Sequence, residues 1–248
     1  MIEIKDLHKS FAGVEVINGI TLDVKKGEIL ALIGGSGQGK SVLLKHMAGL
    51  IKPDQGQVLV DGKEIAKLRG KTLSQLRRRL GFLFQGGALF DSMTVFDNVA
   101  FPLREKTKLG EAEIRKRVVH ELEKVGLSGE EEKYPTQLSG GMVKRAALVR
   151  ELIWEPEIMF FDEPTAGLDP IIGQTIMNLI DNIHKQFHFT GIIVTHEIPK
   201  VFEIVNKVAM LHGGTLLIEG SPEEIVSSDD PVVQQFIKGE IEGPITYY

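Results

Sequence analysis

Apolar and charged residues alternate at the start of the chain. Ile2, Ile4 and Leu7 stand among charges, which predicts a strand with one face on a core. Ile20, Leu22 and Val24 alternate again, and Lys26-Gly27 reads as the turn that follows. The pattern then becomes a short continuous apolar run, Ile29 to Ile33, which fits a buried strand and leads directly into a glycine-rich stretch. Ser41 to Leu50 reads as a helix ended by Lys52-Pro53. Val58 to Val60 with Asp61-Gly62 reads as a strand and turn, and Leu80 to Phe84 as another buried strand. From about Thr94 to Trp154 the period changes. Ile114, Val118, Leu122 and Val125 recur at helical spacing with charges between them, which predicts a helical insertion. Buried-strand runs return at Ile158–Phe161 and Gly191–Thr195. Without internal repeats or low-complexity segments, the expectation is one domain over residues 1–248. It has a helical subdomain at about 94–154 and a C-terminal extension at about 221–248.

Composition narrows the function classes. Hydrophobic residues make up 42% and charged residues 25%, ordinary for a globular protein. A net charge of −5 gives no support to a nucleic-acid role driven by phosphate neutralisation, so no nucleic-acid partner is expected. The absence of cysteine excludes disulfides and thiolate metal sites and allows a reducing compartment. Residues Met1 to Asp6 alternate rather than forming the apolar run of a secretory signal. No apolar stretch is long enough to cross a bilayer, so in a membrane process another chain is expected to do the crossing.

The candidate chemistry begins at Gly34-Gly35-Ser36-Gly37-Gln38-Gly39-Lys40-Ser41, followed by Val42. This is the G-x-x-x-x-G-K-[ST] spacing, set between a strand and a helix as the motif requires. Glycines let backbone N–H groups turn inward around phosphates, and the following helix points its positive end at the anion. Lys40 is expected to reach the β- and γ-phosphates of ATP, and Ser41 to ligate Mg²⁺. A second signal is Ile158 to Phe161 followed by Asp162 and Glu163. A strand buried on both faces would deliver these acids to its C-terminal edge. Asp162 is then placed to hold Mg²⁺, directly or through water, and Glu163 to orient or deprotonate an attacking water. An acidic strand-to-turn connection before Pro164 is the plainer reading of the same pair; the phosphate motif argues against it.

Gln137-Leu138-Ser139-Gly140-Gly141-Met142 resembles the signature sequence of ABC ATPases, Ala166-Gly167-Leu168-Asp169 their D-loop, and Thr195-His196-Glu197 their switch histidine. Gln85, after Leu83-Phe84, matches the Q-loop, and Phe11 stands where the family places an aromatic against adenine. The motifs run in the family's order from Phe11 to His196. The resemblance implies an α/β fold: a P-loop (RecA-like) ABC nucleotide-binding domain with an antiparallel β subdomain and an inserted helical subdomain. It also implies that Ser139, Gly140 and Gly141 bind the γ-phosphate of ATP held by the Lys40 loop of a second copy. His196 would contact that phosphate or order the water, Gln85 would join the metal and catalytic groups, and Asp169 would couple the two sites. Ser139 is a natural helix N-cap, so exposed N–H groups there agree with the implied role. Phe11 could instead be a core aromatic. Met142 departs from the family's usual glutamine, which removes one polar contact near the nucleotide and leaves the phosphate-binding backbone.

Phe84 to Glu105, Met142 and the tail residues Phe236 to Gly239 and Gly243 to Ile245 look like the ATPases of Mla/MCE-type lipid transporters. That resemblance implies a phospholipid-moving complex between the bacterial inner and outer membranes, with the ATPase peripheral on the cytoplasmic face of the inner membrane. The implied partners are a transmembrane permease, an MCE-domain lipid-binding protein and often a STAS-domain protein. Leu89, Phe90 and Phe101 are read as core, or as part of a groove for a permease helix, and Arg77-Arg78-Arg79 as a solvated helix face. The nearest alternative is the ATPase of an amino-acid or other small-solute importer. A non-transport ABC protein typically carries long coiled coils or tandem ATPase domains, and Glu163 beside Asp162 suits water activation rather than the delivery to an acceptor that a phosphotransferase makes. Ser221-Pro222-Glu223-Glu224 has capping-box spacing, Asp230-Pro231 can start a second helix and Gly239 can end it. The apolar and aromatic residues beyond, including Tyr247 and Tyr248, are expected to contact a second ATPase subunit.

Overall fold

The computed structural model of the chain describes residues 1–246. In chain order its elements are β1 (Ile2–Phe11), β2 (Val14–Val24), β3 (Ile29–Ile33), α1 (Lys40–Met47), β4 (Gln55–Val60), β5 (Lys63–Glu64), α2 (Gly70–Arg77), β6 (Leu80–Leu83), α3 (Val95–Lys106), α4 (Glu111–Lys124) and α5 (Gly140–Leu152). There follow β7 (Ile158–Asp162), α6 (Pro170–Phe187), β8 (Thr190–Val194), β9 (Lys207–His212), β10 (Thr215–Gly220), α7 (Pro222–Val226) and α8 (Pro231–Lys238). They fall into two compact units, one of residues 1–74 with 190–248 and one of residues 75–189. The second is wider than the helical stretch that periodicity marks, because it also takes in β6, β7 and α6.

The first unit contains an antiparallel sheet in the order β2-β1-β4-β5. The opening alternation pays out here as cross-strand pairs: Ile2 faces Val24, Ile4 faces Leu22 and Leu7 faces Ile20, all of them buried. Its other strands run β10-β9-β3-β8. β3 is parallel to both β8 and β9, and all five of its residues are buried, as a strand covered on both faces requires. α1 stops earlier than the sequence predicts, because Gly49 turns left-handed (φ 67°) and breaks it before Leu50. The β9–β10 hairpin was not predicted from periodicity, although the Gly213-Gly214 pair at its turn is a hairpin signal. α7 has the predicted capping box, with Ser221 accepting from the Glu224 N–H and Glu224 accepting from the Ser221 N–H. α8 starts at Asp230, whose carboxylate caps Val232 and Val233, and ends at left-handed Gly239. Residues 240–246 then fold back on α8 of the same chain. Tyr247 and Tyr248, on which the expected subunit contact partly rests, lie outside the described residues.

The second unit pairs β6 and β7 in parallel. Its helical core joins Val95, Val99 and Leu103 of α3 to Ile114, Val118 and Leu122 of α4 and to Ala146 and Val149 of α5. Thr94 starts α3 by accepting from the Asp97 N–H at 3.1 Å. Asn98, fully buried, accepts from the Phe90 N–H and donates to the carbonyls of Phe90, Met93 and Thr94, so one side chain fixes the loop before the helix. Arg79 is not part of a free basic face: it makes a two-pronged pair with Glu157 at 2.9 and 2.8 Å. Among the described residues, no helix is long and apolar enough to cross a membrane.

Candidate nucleotide site

The first unit carries residues 34–42, Phe11 and His196. The loop between β3 and α1 is shaped by close approach. Gly34 has φ 138°, and a Cβ there would lie 2.3 Å from the Leu211 carbonyl oxygen. Gly39 has φ 88°, and a Cβ there would meet the Val16 carbonyl and the Ile17 side chain at 2.8 Å. Only glycine fits either position. Gly39 is also the N-cap of α1 and contributes no side-chain cap, and the positive end of the helix faces this loop. Lys40 is buried, and its ammonium donates to the carbonyls of Gly34 and Gly35 at 2.7 Å each. The charge therefore sits inside the loop. Ser36 and Gly37 are exposed in the loop, Gln38 accepts from the Gly213 N–H at 2.5 Å, and Ser41 and Val42 lie in the first turn of α1. Phe11, at the end of β1, is 46% exposed, with the Lys9 ammonium 5.2 Å from its ring centroid, so it is not a core aromatic. His196 is exposed just beyond β8, after the buried Thr195 whose hydroxyl accepts from the Glu197 N–H.

The second unit carries Gln85, Ser139, Gly140, Gly141, Asp162, Glu163 and Asp169. β7 delivers Asp162, 8% exposed, at its C-terminal end. Glu163 follows in the left-handed region, φ 49°, a strained conformation for a residue with a long side chain. Ser139 caps α5, accepting from the Met142 N–H at 3.4 Å. Gly141 has a packing reason that the signature does not reveal: a Cβ there would lie 2.6 Å from an Ile172 methyl. Gly140 has only ordinary contact, 3.4 Å from Leu168. Asp169 caps α6, accepting from the N–H groups of Ile171 and Ile172 at 3.0 Å. Its carboxylate thus has a structural task within its own chain.

Two residues that sequence reasoning missed tie this unit together. Lys144, on α5, donates to the Gln85 carbonyl. Burial holds its ammonium below the ordinary lysine value, while the Glu163 and Asp162 carboxylates act in the opposite direction, so it lies within electrostatic reach of both acids. Arg150, two turns on, donates to the Ala88 and Gly87 carbonyls at 2.6 and 3.2 Å. One helix therefore starts at Ser139 and holds the loop that carries Gln85. The available signal was three basic residues, Lys144, Arg145 and Arg150, on a helix otherwise rich in alanine, leucine and valine.

Among the described residues, no cluster of three or more His, Cys, Asp or Glu side chains could cage a metal. The hydroxyl of Ser41 and the carboxylate of Asp162 are hard oxygen donors. Donors of this kind are those Mg²⁺ takes, a metal that keeps waters and draws its other ligands from phosphate oxygens.

The sequence matches the ABC transporter family profile over residues 17–166. It is 45% identical over 244 residues to the "Probable ribonucleotide transport ATP-binding protein mkl" of Mycobacterium leprae, covering 98% of this chain and 70% of that one. It is 41% identical over 247 residues to the "Intermembrane phospholipid transport system ATP-binding protein MlaF" of Haemophilus influenzae, covering 100% of this chain and 94% of that one. Among solved structures it is similar to a dimeric ATP-binding cassette in a post-hydrolysis state bound to ADP and phosphate. The TM-score is 0.82 at 30% identity, over 90% of this chain and 99% of that one.

Proposed function

The chain belongs to the ABC transporter family of ATP-binding, ATP-hydrolysing subunits, and from that premise we propose that it energises phospholipid transport across a bacterial envelope. The observation that carries the lipid reading is end-to-end similarity to the phospholipid transport ATPase, which spans both chains almost entirely. The mycobacterial relative named for ribonucleotide transport is much longer than the matched region, so its name is the weaker guide to cargo. It nevertheless keeps a small-solute reading available as an outcome of the test.

In this reading the chain works as one ATPase domain with an inserted helical subdomain. Residues 34–42 cradle the phosphates of ATP, with the Lys40 ammonium contacting them from inside the loop and Phe11 stacking on the adenine. Ser41, Gln85 and Asp162 would hold Mg²⁺, which neutralises developing charge on the phosphate oxygens. Glu163 accepts a proton from the attacking water, and the strained backbone after β7 is consistent with such a post. His196 orders the water or the γ-phosphate. The N–H groups beyond Ser139 close on ATP held by a second copy, and Asp169 couples the paired sites. α5 supplies a rigid route from signature to Q-loop through Lys144 and Arg150. The remaining partners are a transmembrane permease, an MCE-domain lipid-binding protein and a STAS-domain protein. The ATPase docks peripherally on the cytoplasmic face of the inner membrane. Phe90 and Phe101, exposed and 5.4 Å apart edge to face, are an apolar surface suited to a permease helix.

The test is purification with the products of neighbouring genes, followed by mass spectrometry of bound lipid and ATPase assays with candidate cargoes. Copurified phospholipid that stimulates turnover is the expected result. Stimulation by ribonucleotide with no bound phospholipid would move the cargo to the small-solute class. Mixed dimers of Ser139→Arg with Lys40→Ala chains should retain one composite site. Nucleotide cross-linking of Ser139 to phosphates held by its own chain's Lys40 would sink the action in trans.

A further inference from the structure

The last residues before the terminus are held by an arrangement that ordinary packing does not need. Gln235 lies on α8 and is 3% exposed. Its amide oxygen accepts from the Ile245 N–H at 2.7 Å. Its amide nitrogen donates to the carbonyls of Ile245 at 3.2 Å, Glu240 at 3.3 Å and, weakly, Ile241 at 3.5 Å. A glutamine buried this deeply is stable only with its polar atoms satisfied, and here the satisfying groups are all tail backbone. Gly243 lets the tail pass so close: a Cβ there would meet the Gln235 side chain at 2.4 Å. Ile245 is buried beyond it.

The docked tail ends beside the phosphate loop of its own chain. Pro244, Ile245 and Thr246 line a cavity of about 340 Å³ together with Gly35, Ser36, Gln38 and His212. The tail does not fill this space; it walls one side of it. A wall that excludes water lowers the local dielectric, and interactions between phosphate charge and loop N–H groups strengthen accordingly. We propose that Gln235 is a positioning residue for nucleotide binding, acting through residues 243–246, which it anchors as a side wall of the phosphate loop. This inference rests on the reading of residues 34–42 as the ATP site.

The experiment uses the full-length subunit, a fluorescent ATP analogue with Mg²⁺, and thermal unfolding as a check on folding. Gln235→Leu removes the anchor from the helix, and Gly243→Val removes it from the tail. Each is expected to weaken nucleotide affinity about fivefold, the low end of ordinary coupling between sites. The double variant should be no weaker than either single, because both changes undo one contact. In turnover the effect should fall on KM rather than kcat. A residue that serves only to pack α8 would lower the melting temperature and leave affinity unmoved. Unchanged affinity in the folded Gly243→Val chain overturns the proposal, and so do fully additive losses. Tighter binding also overturns it, by making the tail an obstruction. Lys40→Ala separates the two levels: wild-type affinity there removes the ATP reading itself. Loss there with none in Gln235→Leu and Gly243→Val removes only the role of the tail.

Discussion

In residues 34–42, the proposed phosphate loop, the backbone path is set by Gly34 and Gly39, whose missing side chains let other strands come close. In residues 139–169 the chemistry sits on side chains at the ends of elements: Ser139 before α5, Asp162 and Glu163 after β7, and Asp169 before α6. The first region tolerates no Cβ at Gly34 or Gly39, where the backbone of another strand comes within 3 Å. The second is expected to accept substitutions that keep its caps and to lose function one group at a time. Under the proposed function, the difference separates binding, which needs a rigid concave backbone, from proton transfer, which needs a titratable group in one place.

The sharpest test of the second region is Glu163→Gln. Hydrolysis in the assembled complex should fall by about 10²–10⁴, the usual worth of a general base, while ATP binding is retained. Turnover near wild type would show that another group activates the water. The first region is probed by a matched pair of alanines. Gly34→Ala places a Cβ 2.3 Å from a backbone oxygen that cannot swing aside, so nucleotide affinity should drop at least tenfold, with about 1–3 kcal/mol of stability lost to overpacking. Gly140→Ala meets only an ordinary contact, so its unfolding midpoint should stay close to wild type while hydrolysis by the dimer declines. Equal melting temperatures for both variants would erase the contrast.

Asn98→Ala asks how far the second unit depends on a single satisfied side chain. It leaves the Phe90 N–H and several carbonyls without their partner, and urea unfolding should report a loss of about 1–3 kcal/mol. The smallest effect is a pH dependence that each of the two units supplies once. Burial holds His46 in the first and His184 in the second below the ordinary histidine value; the nearby His188 adds to the shift in His184. Between the folded and unfolded values the unfolded chain binds more protons, so stability rises with pH there. It is lost as pH falls below about 6.5 toward the folded values. Comparing urea midpoints at about pH 7.5 and 5.5 should show the drop, and His46→Gln should make it shallower. An unchanged slope would assign the acid sensitivity to other groups.

Local chemistry was legible in the sequence wherever its parts are neighbours along the chain. The strand-loop-helix context of residues 29–47 needs only consecutive residues, and so do the apolar run into Asp162 and Glu163, the capping box at Ser221 and the stop at Gly239. Each depends on hydrogen bonds or dihedral angles within a few residues, so composition and spacing suffice to determine it. What only the tertiary structure decided involves atoms brought from far along the chain. Leu211 explains Gly34, Ile172 explains Gly141, Lys144 and Arg150 explain the path of residues 85–88, and Gly243 with Ile245 explains a buried Gln235. A glycine reads the same in sequence whether it serves a phosphate or makes room for a carbonyl. A buried amide is distinguished from a surface one only by the partners that desolvation obliges it to find.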